Sequence, residues 1–318
     1  MQGKEIFIHV GMPKTGTSYL QKYIFHNFSG AQYLDISNEY YSHIFRDIFF
    51  KNMLVYDKAI LRKEISDMLS QISANKILIS DEGWFGSTIG GSHFNLSNNY
   101  YLTQLLHETF PEAKIILTIH RQDKWLESMY RHLLREGYYL GIKSFLNFRK
   151  GTFGNFQSAF RIGPNIDFKV VTYLPYIQNY RQCFGGKNVL IMPQELLQKN
   201  EDQFIQQLSN FLNTSYVKIQ KGTIASVNSS YLYLGSIIAR NVNRLFKVKG
   251  RGGGLLPVFN YKYLNYKWYI RKIDKLIPIQ KHLINKKMRK IIMDYHAKGN
   301  KELDSKYNLN LKEYNYYE

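Results

Sequence analysis

The sequence predicts an α/β fold in three layers, a central parallel sheet flanked by helices, and three observations carry that expectation. Short apolar runs rich in β-branched residues recur along the chain: "EIFIHV" (5–10), "KILIS" (76–80), "KIILTIH" (114–120), "FKVVTYL" (168–174) and "NVLIM" (188–192). Near-continuous apolar strands are those buried on both faces, as in a parallel sheet. Helical patterns separate them, at 17–28, 57–74, 97–109, 123–136, 175–184, 201–212, 226–246 and 281–298. The first run leads at once into a turn rich in glycine and hydroxyl residues that opens a helix. No repeat or long low-complexity linker interrupts the pattern. We therefore expect residues 1–318 to form one domain, with a basic C-terminal segment, 240–298, packed on it or extending from it.

A chain of 318 residues with 44% hydrophobic content can fill a sizeable core. Cys183 is the single cysteine, which excludes an internal disulfide. The opening "MQGKEIFIHV" lacks the pattern of a secretory leader, so a cytoplasmic chain is expected. No apolar window is long enough to span a bilayer, and any membrane contact should be peripheral. The net charge of +19 favours an anionic partner, and the excess is local. Between Arg240 and Lys290 stand 15 Lys or Arg against one acid, Asp274.

The turn after the first run reads "HVGMPKTGTSYL" (9–20). A glycine-rich turn from strand to helix aims backbone N–H groups at one point, where an anion can sit. Gly11 and Gly16 have the spacing of a triphosphatase phosphate loop, but Thr17 stands where the lysine belongs and Lys14 comes earlier. A phosphoryl group needs that lysine and a magnesium ion. A sulfuryl group carries less negative charge, so one lysine and backbone donors suffice without a metal. The expected fold is thus P-loop-like, with no metal site.

"PKTGTSYLQ" resembles the phosphosulfate-binding loop of PAPS-dependent sulfotransferases, PAPS being 3′-phosphoadenosine 5′-phosphosulfate. The resemblance implies that Lys14, Thr15, Gly16, Thr17 and Ser18 hold the 5′-phosphosulfate, and that adenosine 3′,5′-bisphosphate (PAP) is the product. The family reads the 3′-phosphate with an arginine at a later strand end and a serine seven residues on. "KIILTIHRQDKWLESMYRHLLREG" supplies Arg121 and Ser128 at that spacing, with Asp123 placed to cap the helix. Gln122 and Asp123 replace the proline that family members often carry there. "QKGTIASVNSS" (220–230) resembles a Lys/Arg-Gly donor loop and brings in Lys221, while "NKELDSKYNLNLKEYNYY" (300–317) resembles the C-terminal end of bacterial carbohydrate sulfotransferases.

Transfer to a hydroxyl is an in-line displacement, so a base should face Lys14 across the carboxyl edge of the sheet. "KILIS" ends in "DEGWFG", presenting Asp81 and Glu82, and the resemblance favours Glu82. An acid after a strand also commonly caps a turn. His9 and His120 rank lower, because a histidine within an apolar strand is more often a core residue. Cys183 reads as a buried structural thiol. The aromatic stretches 32–56 and 138–160 fit either an acceptor groove or core. Segment 261–290 interleaves basic residues with Trp and Tyr, which suits an anionic membrane surface or a solvated helical face equally. The function expected is sulfuryl transfer from PAPS to a carbohydrate or glycolipid hydroxyl, with no nucleic-acid partner. Two alternatives stay open: a P-loop small-molecule kinase and a non-catalytic binder of polyanions or glycans.

Overall fold

The computed structural model describes residues 3–36, 38–39, 41, 45, 57–86, 96–154, 166–218, 230–246, 256 and 266–318. The chain divides into two compact units, one of residues 1–121, 172–227 and 297–318, the other of residues 122–171 and 228–296.

The first unit holds a five-stranded sheet, all parallel, in the order β2-β3-β1-β4-β7. Its strands are β1 (Glu5–Gly11), β2 (Ala31–Leu34), β3 (Lys76–Ser80), β4 (Lys114–Ile119) and β7 (Val189–Pro193). Its helices include α1 (Thr17–Tyr19), α2 (Lys58–Ser70), α3 (Asn99–Thr109), α6 (Tyr173–Phe184), α7 (Gln194–Lys199) and α8 (Glu201–Leu212). Phe7, Ile8 and Val10 of the central strand are fully buried, as are Ile77, Leu78 and Ile79 beside them. Both faces of the strands are covered, which is what their unbroken apolar runs require. The chain leaves β1 toward β2 and β3 on one side and reaches β4 on the other. That reversal opens a crevice at the carboxyl ends of β1, β3 and β4, where ligands of such sheets bind.

Four expected strands are present, and the fifth is not. Residues 168–174 form a 3-10 turn, Phe168–Val171, followed by α6. Its apolar run buries Phe168, Val170 and Val171 as one turn rather than as a strand, an ambiguity that short runs carry by nature. The extra strand, β2, is a short sheet edge whose Gln32 is exposed, too polar to read as apolar. The helix expected over 17–28 breaks into a single α turn, a π turn (Leu20–Ile24) and a 3-10 turn (Phe25–Asn27). The widened turn lets the Gln21 amide reach Ser80 Oγ and the Ser80 carbonyl, both at 3.1 Å.

The second unit comprises α4 (Gln122–Arg135), α5 (Ile142–Phe145), the hairpin β5 (Phe148–Arg149) and β6 (Thr152–Phe153), α9 (Tyr233–Leu245), α10 (Tyr266–Leu276) and residues 286–296 of α11 (Lys286–Tyr307). Helix α10 is not among the helices placed from the sequence, although a helical face was one reading of 261–290. The α4 face buries Trp125, Leu126, Met129, Tyr130, Leu133 and Leu134. Asn243 of α9 caps the end of α4 by donating its amide to the carbonyls of Leu134 at 2.7 Å and Tyr138 at 2.9 Å. Helix α9 has no side-chain cap of its own at Leu232. The cap comes from α10, where the buried Asp274 carboxylate accepts the N–H groups of Leu232 and Gly235, each at 2.8 Å. A Cβ on Gly235 would lie 2.1 Å from that carboxylate, so the cap keeps this position only with glycine there. We expect Asp274→Ala to lower the unfolding free energy by about 1–3 kcal/mol, leaving two helix-end donors unpaired, and Gly235→Ala to do the same by displacing the cap. Urea denaturation checks both, and an unchanged midpoint would refute the capping role.

Candidate active site

Three left-handed residues shape the loop after β1: Gly11 at φ 81°, Lys14 at φ 64° and Gly16 at φ 92°. For a lysine this conformation costs of order 1–2 kcal/mol, and the surrounding hydrogen bonds hold it. The Met12 N–H donates to the Thr118 carbonyl at 3.0 Å. Thr15 is fully buried, and its hydroxyl donates to the Met12 carbonyl at 2.5 Å while lying 2.5 Å from the Thr118 hydroxyl. The Thr15 side chain is thus committed to the loop itself. Because α1 is a single turn, attraction for an anion rests on the loop's N–H groups more than on a helix dipole. Ser18 is exposed and Lys14 half-buried.

The same hydrogen bonds define His9. The Thr15 proton goes to the Met12 carbonyl, so the Thr118 hydroxyl donates to Thr15 and accepts from His9 Nε2–H at 3.1 Å. His9 Nδ1 then accepts from the Ser80 hydroxyl at 2.7 Å. Burial lowers the His9 pKa to about 3, so the ring is neutral at ordinary pH. It ties β1, β3 and β4 together and has no free lone pair for a substrate.

The two acids after β3 divide the roles. Asp81 accepts the Gly83 N–H at 2.7 Å and so caps the 3-10 turn Glu82–Phe85. Glu82 packs against the loop, for a Cβ on Gly11 would lie 3.1 Å from Glu82 Cβ and 3.2 Å from its Cα. Burial raises the Glu82 pKa above the usual carboxylate value, and the Asp81 charge adds to the rise. The Lys14 ammonium, the Thr17 hydroxyl and the Lys14 N–H oppose it. Thr17 is buried beside the carboxyl, in a geometry short of a full hydrogen bond. An acid and a lysine therefore face one another at the mouth of the central strand.

At the end of β4 the Arg121 N–H donates to Glu195 Oε1 at 3.1 Å. Glu195, at the start of α7 and 2% exposed, also accepts from the Tyr316 hydroxyl at 2.8 Å and pairs with His120 Nε2 at 3.6 Å. The Asn300 amide fixes the Tyr316 carbonyl at 2.8 Å, and the Tyr173 hydroxyl donates to the His120 carbonyl. The sequence reading missed this cluster. Its only signal was a glutamate shortly after the apolar run 188–192.

Ser128 is half-buried on α4, in the second unit. Asp123 is buried there and forms an ion pair with Arg289 Nε at 2.9 Å. Lys221 lies outside the described residues. Cys183, expected to be buried, is partly exposed; its thiol accepts from Gln104 at 3.1 Å, and burial raises its pKa. Of the aromatics in 138–153, Tyr138 and Phe145 are buried and form one cluster with Tyr130 of α4, with centroids 5.5 to 6.1 Å apart. Phe45 is buried against Trp84. In these described parts the aromatic density is core. Among the described residues no helix is long and apolar enough to cross a membrane.

Residues 95–164 match the family model described as a sulfotransferase domain. That segment resembles the sulfotransferase family over 70 of the chain's 318 residues. It contains β4, Arg121, α4 and Ser128, while the loop at Lys14 and the acid Glu82 precede it. Solved sulfotransferase structures show a likeness over 67 to 71% of the chain. One from Alicyclobacillus acidocaldarius is 16% identical, with 71% of this chain and 87% of that chain covered and a TM-score of 0.47. The sulfotransferase domain from the curacin biosynthetic pathway is 13% identical, with 67% and 75% covered and a TM-score of 0.37. Mouse sulfotransferase SULT7A1 complexed with PAP is 14% identical, with 69% and 62% covered and a TM-score of 0.32. Likenesses this remote carry no argument about residues or substrates. A search of curated proteins found no match.

A raised carboxyl pKa means that the folded chain binds the Glu82 proton more tightly than the unfolded chain does. Its contribution to stability is present below the unfolded value of 4.5 and is lost as pH rises toward the folded value. Glu82→Gln should therefore be more stable than the parent at neutral pH, with the gap closing below about pH 4.5. Paired urea titrations across pH check this; a gap independent of pH would refute it. For the cluster at Glu195, Tyr316→Phe removes a buried donor to a carboxylate and should lower stability by about 1.5–3 kcal/mol in the same assay.

Proposed function

We propose that the chain transfers a sulfuryl group from PAPS to a carbohydrate hydroxyl. The observation that carries the reading is the opposition of Lys14, in its left-handed loop, and Glu82, whose pKa burial raises. The family match over residues 95–164 supports sulfuryl transfer, and the resemblance of residues 300–317 to carbohydrate sulfotransferases favours a sugar acceptor. The buried Thr17 hydroxyl and the close approach that Gly11 permits fit a small anion held by backbone donors.

In this reading the loop of Lys14, Thr15, Gly16, Thr17 and Ser18 holds the 5′-phosphosulfate, with the Thr15 side chain bracing the loop. Arg121 and Ser128 hold the 3′-phosphate, and Lys221 joins them. Glu82 takes the proton from the acceptor hydroxyl, whose oxygen forms a bond to sulfur as the bond from sulfur to the 5′-phosphate oxygen breaks. Lys14 balances the charge that develops on the departing PAP. A raised pKa suits Glu82 for this, because it moves the base toward operating pH. We place the enzyme in the cytoplasm and its acceptor, a glycan or lipid-linked sugar, at a membrane surface.

Calorimetric titration with PAP in the presence of a chelator tests the donor site. Wild type should bind, and Lys14→Ala or Arg121→Ala should weaken binding about 10- to 150-fold, the range for one lost charge-assisted bond. No PAP binding, together with magnesium-dependent ATP binding, would replace the reading with the kinase one. With labelled PAPS and a sugar acceptor, Glu82→Gln should lose about 100-fold or more in kcat while its PAP affinity holds. Transfer to phenols in preference to sugars would overturn the acceptor assignment alone.

A further inference from the structure

The second unit carries an exposed surface to which the proposed transfer assigns no residue. Asp274 and Ile270 turn one face of α10 inward, and the Tyr266 hydroxyl donates to Asn243 at 3.2 Å. The opposite face and the turn that follows expose Trp268, Tyr269, Leu276, Ile277 and Ile279, with Leu276 79% and Trp268 48% exposed. Arg271, Lys272, Lys275 and Lys281 are exposed among them. Asp274, the one acid between Arg240 and Lys290, is buried under the helix and adds no negative charge to that face. The turn is held rather than loose: Ile277 N–H donates to the Ile273 carbonyl at 2.8 Å, and Tyr233 N–H donates to the Ile279 carbonyl at 3.4 Å. Lys272 lies 4.4 Å from the Trp268 ring centroid, and Lys281 lies 5.2 Å from that of Tyr233.

We infer that this face, α10 with the turn through Lys281, docks on an anionic lipid bilayer. Three occupants could be considered, and the chemistry separates them. A second copy would bring an equally basic face against this one and be repelled. A polyanionic glycan or nucleic acid would satisfy the lysines but leave Leu276, Ile277 and Ile279 in water. An anionic bilayer meets both demands, with headgroups for the basic residues and an acyl boundary for the apolar ones. Indole and phenol rings prefer that interface. The inference is independent of the sulfuryl-transfer reading.

The chain supplies its own reporter. Of its three tryptophans, Trp84 and Trp125 are fully buried and Trp268 alone is exposed. The full chain would be mixed with vesicles of phosphatidylcholine alone, and of phosphatidylcholine with phosphatidylglycerol at about three to one. We expect cosedimentation with the anionic vesicles only, a blue shift of the Trp268 emission, and quenching by brominated acyl chains. Lys272→Glu with Lys275→Glu should lower the partition coefficient at least 25-fold, from roughly fivefold per lysine. Leu276→Ser should lower it about tenfold. Both variants alter outward side chains, and an unchanged thermal midpoint would show that they fold. Absence of vesicle binding, or binding with unshifted Trp268 emission, would overturn the inference. So would a Leu276→Ser variant that binds anionic vesicles and heparin as wild type does, since that identifies a polyanion face. PAP titration of the same variants separates failure here from failure of the donor site.

Discussion

A neutral imidazole holds the working edge of this molecule in register. His9 sits near the end of the central strand, accepts a hydrogen bond from Ser80 on one side and donates one to Thr118 on the other. Thr118 passes the direction on to Thr15, and Thr15 to the Met12 carbonyl, so one chain of donors runs from β3 through β1 and β4 into the loop. Every member has its donors and acceptors matched, the condition under which a buried polar network fixes geometry rather than weakening the core. With its pKa near 3, the ring does not change charge in the range where the protein works. The network pins Met12 and Thr15 on either side of the left-handed Lys14, beside the close approach of Glu82 to Gly11.

That approach has an energetic meaning. A carboxyl pressed against a loop and partly withdrawn from water is a poor place for negative charge, and the neighbouring lysine relieves the burden only in part. The fold retains an ionisable group where an amide would be more comfortable. Such local disadvantages concentrate at functional sites, where the chemistry needs a group that its surroundings would otherwise neutralise.

Much of this was legible before any coordinates. The unbroken apolar runs at 5–10, 76–80, 114–120 and 188–192 each became strands, because burial on both sheet faces leaves a strong local mark. The run at 168–174 carried the same mark and became a turn and a helix, since apolar character reports burial and not backbone shape. β2 was missed for the opposite reason, as an edge strand with a polar exposed residue. The loop at Lys14 and the acids after β3 were legible from adjacency to strand ends. The partition of labour between Asp81 and Glu82 was not, for it depends on which carboxylate finds a backbone N–H nearby. Glu195 was invisible as a partner of Arg121 because its other ligand, Tyr316, is 121 residues away in sequence. The face of α10 was half legible: composition revealed the basic and aromatic mixture, and only the fold shows which residues turn outward.

The distance from Glu195 to Tyr316 has a consequence for how the protein comes into being. On the ribosome, at about 5–20 residues per second, roughly 10 s separates synthesis of the carboxylate from that of the hydroxyl that partners it. During that interval the sheet strands are all available, but the edge beside Arg121 lacks the residue that closes it. The framework can condense early while the edge beside Arg121 is completed late, so a nascent chain can be compact well before that edge is closed.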